Sequence, residues 1–160
     1  VRAYEADQPE ASREFCKQAM EFFAQSKSVS ESSVGAASVI GGSLGLFADR
    51  LPPEIREEAW QMCYDSYQKL YAMQADSVDR LPTHMRGELL AGLAQSAHRT
   101  GRTEAYDEYL NQIIEKLPDT GYSRVAKRWK TDPAAAKTGN ISCKSCHAPG
   151  RLAVRLGKLP

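Results

Sequence analysis

The chain has 160 residues, 42% of them hydrophobic and 26% charged, which is enough for one domain with its own core and too short to expect two independent ones. Apolar residues are spread among polar ones, and no stretch approaches the roughly 20 consecutive apolar residues of a membrane-spanning helix, so a transmembrane segment within this sequence is excluded. Net charge is only +1, but residues 1–122 carry 12 Lys/Arg against 19 Asp/Glu while residues 123–160 carry 9 against 1, so an acidic body adjoins a basic C-terminal lobe.

The apolar periodicity is helical from end to end. Pro9 suits a first helical turn, and Phe15, Ala19, Phe22 and Phe23 then recur at helical spacing up to the Ser-rich stretch 26–33. A second helix runs from about Ser33 to Asp49 with Val39, Ile40, Leu44 and Phe47 on one face. Its glycines, Gly35, Gly41, Gly42 and Gly45, weaken the helix by up to about 1 kcal/mol each and point to close approach of a neighbouring helix or ring.

Leu51-Pro52-Pro53 breaks the pattern, and Glu54, Glu57 and Glu58 then sit where a helix dipole favours acids. Ile55, Ala59, Met62, Cys63, Tyr67 and Leu70 continue this third helix toward Ser77, and Leu81-Pro82 closes the segment. Thr83 is placed to cap a fourth helix with Leu89, Leu90, Leu93, Ala94 and Ala97 on its face, and Gly101 is placed to stop it. A fifth spans about Thr103 to Leu117 through Tyr106, Leu110, Ile113 and Ile114, and a shorter sixth carries Tyr122, Val125, Ala126 and Trp129. The expected fold is all-α, a bundle of five to six helices in hairpins: one domain, 1–160, with a helical body over 1–130 and a linker, ligand-attachment motif and amphipathic tail over 131–160.

The stretch from Glu88 to Asp119, with Leu93, Ala94, Gly101, Ala105, Tyr109 and Pro118, resembles a single tetratricopeptide repeat. That resemblance implies a helical hairpin; an ordinary antiparallel helix pair gives the same pattern.

The chemistry lies in Cys143-Lys144-Ser145-Cys146-His147. A thioredoxin-type redox pair needs a βαβ setting that this helical chain lacks, and a four-cysteine zinc site would need Cys16 and Cys63, which fall on separate helices without the close pairing of zinc knuckles. The pentapeptide resembles the attachment motif of c-type cytochromes. The resemblance implies one covalent haem c, thioether-linked through Cys143 and Cys146, with His147 as the proximal iron ligand. It also implies assembly outside the cytoplasm, in the periplasm or an equivalent compartment. No basic-then-apolar leader precedes Val1, so an export signal or anchor is expected to have been removed or to lie outside this sequence.

Only 13 residues follow His147 and none is Met or His, so a sixth ligand has to come from upstream or be absent. His98 is the first choice, because it shares a stripe with Gly87, Ala91 and Ala94; His84, Met20, Met62, Met73 and Met85 are the remaining donors. Trp129, Tyr122 and Phe47 are candidates to line the ring, and Arg151, Arg124, Arg128 and Arg155 to neutralise its propionates. An oxidising compartment permits a disulfide between Cys16 and Cys63.

Cytochromes c-prime are similar in carrying the motif near the C-terminus of a helical bundle, but Pro149 and Gly150 interrupt the helix that those proteins continue. The function expected is single-electron transfer with an acidic or membrane-associated redox protein and without nucleic acid. The alternatives are a haem-based gas binder and a haem-bearing docking module. Catalysis is disfavoured, since di-haem peroxidases carry two such motifs and this chain has one.

Overall fold

A computed structural model describes residues 8–29, 34–139 and 141. Every regular element among the described residues is helical, as the periodicity predicts. The chain divides into two compact units, Val1–Val78 and Asp79–Pro160.

The first unit holds helices α1 (Pro9–Val29), α2 (Val34–Phe47) and α3 (Pro53–Met73). α1 begins at Pro9, where the missing N–H has no intrahelical partner to lose. The glycines of α2 act as the sequence suggests: a Cβ on Gly41 would lie 3.1 Å from ring atoms of Tyr67, and one on Gly45 would lie 3.7 Å from Cys63 Sγ. The strip of missing side chains lets α2 and α3 pack closely. A 3₁₀ turn at Ala48–Arg50 links them, tied down by Trp60, whose buried Nε1 donates to Asp49 Oδ1 at 3.0 Å. α3 stops at Met73 and not at Ser77, because Ser77 bonds back to Gln74 through its N–H at 2.8 Å and its hydroxyl at 3.1 Å, competing with helical continuation.

In the second unit are α4 (Thr83–Arg99), α5 (Thr103–Lys116), α6 (Gly121–Thr131) and α7 (Pro133–Thr138). α4 starts at Thr83 itself. Pro82 occupies the capping position in extended conformation and no side chain caps it, so Thr83 is the first helical residue and not the cap. Gly101, at φ +72°, supplies the left-handed turn that ends α4 and folds α5 back as a hairpin. Every residue from Leu89 to Ala97 is buried, because α5 and α7 both pack on α4. Tyr106, Tyr109, Leu110 and Ile113 form the inner face of α5, and Ser123, Ala126 and Trp129 that of α6.

The stretch expected to be a plain linker after Thr131 contains α7. Asp132 accepts from the N–H groups of Ala134 and Ala135, each at 3.1 Å, and Pro133 occupies the first helical position, so a strong cap offsets the shortness of the segment.

Candidate functional site

The described chain ends as a strap laid against α4. After α7, Gly139 N–H donates to Ala135 O at 2.8 Å and the backbone turns extended. Arg99, in the last turn of α4, spans the turn: its Nη1 donates to Ala136 O at 2.7 Å and its Nη2 to Gly139 O at 2.9 Å. One turn earlier, Gln95 Oε1 accepts from Ile141 N–H at 3.1 Å. Gln95 and Ile141 are each only 1% exposed. The other amide atom of Gln95, Nε2, is buried with no partner. Gly139 is fitted to this place, since a Cβ there would meet Ala135 O at 2.4 Å and Trp129 Nε1 at 3.1 Å.

His98 lies between the two clamping residues in sequence. Its ring is 4.9 Å from that of Tyr106 and 6.2 Å from that of Trp129, centroid to centroid. Arg99 Nη1 lies 3.1 Å from His98 Nδ1. A guanidinium only donates, so Nδ1 accepts and the neutral ring carries its proton on Nε2. Tyr106 Oη donates to Trp129 O at 3.2 Å, closing the cluster, and burial first, then the negative charge of Asp107, raises the Tyr106 phenol above its ordinary pKa.

Cys143, Cys146, His147, Arg151 and Arg155 lie outside the described residues. The remaining sequence candidates divide by position. Trp129 and His98 are brought together in the cluster beside the strap. Tyr122 belongs to a separate group: its ring covers Gly87, its hydroxyl donates to Glu88 Oε1 at 2.5 Å, and it lies 3.0 Å from His84 Nδ1. Arg124 and Arg128 stand with Lys127 and Lys130 on the exposed side of α6. Met85 and Met73 are exposed, and Met20 is buried in the first unit.

The bridge between Cys16 and Cys63 is not formed; both are buried free thiols. They address different sides of α2. Cys63 Sγ donates to Gly41 O at 3.3 Å, whereas Cys16 lines a cavity of about 160 Å³ with Met20, Ser43, Leu44 and Phe47. Burial, with the charge of Asp49 added, pushes the Cys63 thiol far above its ordinary pKa, so it stays protonated. Phe47, a candidate ring neighbour, borders the same cavity. That space is below the roughly 300 Å³ at which pockets for larger organic ligands begin, and is too small for a tetrapyrrole.

Sequence reasoning missed Gln95, Arg99 and Gly139. The available signal was Gln95 itself, an amide inside the apolar run from Leu89 to Ala97, where a polar side chain needs a partner.

No protein-family model matches the chain, and the comparisons with curated proteins and with solved structures found no match. Among the described residues no helix is long and apolar enough to cross a membrane, and no group of three or more His, Cys, Asp or Glu residues is placed to hold a metal ion.

Proposed function

We propose that the chain is a mono-haem c-type cytochrome that passes single electrons to and from a partner protein outside the cytoplasm. The observation that carries this reading is the motif Cys143-Lys144-Ser145-Cys146-His147. Its donor set fits the group: two thiols three residues apart in sequence suit the two vinyl groups of one porphyrin, and the imidazole of the next residue suits its iron. Cys143 and Cys146 would hold the ring and His147 the metal. When bound, the haem supplies a one-electron couple.

The remaining roles belong to the polypeptide. The exposed cations of α6, Arg124, Lys127, Arg128 and Lys130, attract an acidic partner to the unit that contains the motif. His98 is the distal candidate, being on the turn of α4 that holds the strap. Ligation through Nε2 requires the ring proton to move to Nδ1, which ends acceptance from Arg99.

That requirement favours a second reading, small-gas binding at an open sixth position. His98 already has neighbours in Arg99, Tyr106 and Trp129. Absorption spectra of the oxidised and reduced protein, for wild type and His98→Ala, separate the two. Electron transfer with His98 ligation predicts low-spin bands that the variant loses; unchanged spectra remove His98 as ligand. A high-spin ferrous form that binds carbon monoxide without unfolding supports the gas reading.

A further inference from the structure

We infer that Arg99 and Gln95 are positioning residues: together they clamp the strap that carries the haem motif against the C-terminal half of α4 and thereby set where the haem sits. The inference rests on the haem reading above for its functional meaning, but the clamp is built from groups whose geometry is independent of it.

Three features distinguish the clamp from ordinary loop packing. Arg99 uses both terminal nitrogens on two carbonyls three residues apart, Ala136 O at 2.7 Å and Gly139 O at 2.9 Å, so a single rigid fork fixes the direction in which the chain leaves α7. Such charge-assisted bonds are among the stronger ones a side chain makes to backbone.

Gln95 then takes the next available donor, Ile141 N–H, in a fully buried position, and does so while its own Nε2 remains without a partner. A buried amide with one unmet donor is a poor choice for stability alone, since an apolar residue would avoid that desolvation penalty. What the amide does provide is a fixed register between α4 and the strap.

Gly139 contributes the third feature. It passes so close to Ala135 O and the Trp129 indole that a side chain would clash, so the strap can lie here only with glycine at this position.

Ile141 precedes Cys143 by two residues, a span of at most about 7 Å of extended chain. On the haem reading, the ring is attached within that reach of Ile141, which serves as its anchor point. That point is held by α4, the helix that also carries His98.

The test uses the full chain with haem attached, as wild type, Arg99→Ala, Arg99→Lys and Gln95→Leu. Two measurements are made on each: amide hydrogen exchange, and the ferric electron paramagnetic resonance spectrum. Arg99→Ala should speed exchange at Gly139 and Ile141 by about tenfold or more, leaving the amides of α5 unchanged. It should also replace one set of g-values by a broadened or doubled set. Arg99→Lys, which keeps the charge but loses the planar fork, should fall between the two.

Gln95→Leu guards against simple misfolding. It removes the unsatisfied Nε2 but also leaves the buried Ile141 N–H without its acceptor, so the two costs oppose each other: the chain should stay folded with at most a modest loss of thermal stability while exchange at Ile141 and the g-values respond. Faster strap exchange with g-values unchanged in every variant would overturn the positioning role, as would unchanged exchange. A wild-type chain with no haem band would instead overturn the haem reading, and the positioning role with it.

Discussion

Substituting Gly87 by Ala tests how the second unit is locked. A Cβ at this position would stand 2.3, 2.5 and 2.7 Å from Cε2, Cδ2 and Cζ of Tyr122. These are atoms of a rigid ring and not the end of a flexible chain, so the whole ring must swing off α4. In doing so it loses the bond from its hydroxyl to Glu88 and its place beside His84. The helix itself gains about 1 kcal/mol when Gly becomes Ala. Against that stand about 1.5 kcal/mol for displacing a packed ring and about 1.5 kcal/mol for a partly exposed bond to a carboxylate. The net expectation is a loss of about 2 kcal/mol.

Urea unfolding followed by far-UV circular dichroism, with hydrogen exchange of α4 and α6 amides to locate the change, provides the measurement. In a Tyr122→Ala background the clash is absent and Gly87→Ala should stabilise by about 1 kcal/mol, a coupling of about 3 kcal/mol across the cycle. Gly42→Ala is the control, because among the described residues nothing beyond its own helix backbone and chain neighbours lies within 4 Å of its Cβ position, and it should simply gain up to about 1 kcal/mol. If Gly87→Ala proves as stabilising as Gly42→Ala, the packing of Tyr122 on α4 is wrong.

Further outcomes follow from the remaining geometry. Cys63 should resist alkylation in the native protein at neutral pH and react fully in denaturant, and non-reducing peptide mapping should find no Cys16–Cys63 link; a cross-linked peptide would contradict the packing of α2. Asp79, held below its ordinary pKa chiefly by its bond from Lys116, contributes stability that is present above the unfolded-state carboxylate pKa and lost as pH falls through the lower folded value. Asp79→Asn should therefore flatten the acid side of the stability profile in urea titrations at successive pH values, and an unaltered profile would refute the pairing. Replacing Arg124, Lys127, Arg128 and Lys130 by Glu should slow reduction of the haem by an anionic reagent such as ferrocyanide, and reverse the sign of its salt dependence, without altering a neutral reagent.

The helices were legible because the apolar residues recur at helical spacing and the punctuation is strong: Pro9, Pro52-Pro53, Pro82 and Gly101 lie at or beside element boundaries. α7 was hidden by its length. Six residues cannot show periodicity, and the signal lay in the Asp132-Pro133 pair, a cap followed by a favoured first position. The Cys16–Cys63 expectation failed because periodicity tells which residues face inward but not which neighbour they face. Both cysteines are buried, on opposite sides of a glycine-lined α2. Trp60 was passed over for a related reason, since its burial depends on Asp49 in the preceding turn accepting its N–H.

Cys143 to His147 lie outside the described residues, and the contacts that hold the chain up to Ile141 were not legible. Arg99 reaches carbonyls 37 and 40 residues away, and no local pattern records such a bond. Tyr122, a candidate with Trp129 and Phe47 to line the ring, packs on Gly87 and bonds to Glu88 beside His84, while Trp129 faces His98 and Gly139.

The proposed function stands on covalent haem attachment through Cys143 and Cys146. Intact mass under denaturing conditions tests it most directly, on protein matured in an export-competent host with haem c assembly. Wild type should retain the mass of one haem after acid and organic solvent, and the Cys143→Ala/Cys146→Ala variant should retain none. A wild-type chain that loses its haem to solvent, or never acquires one, would contradict it.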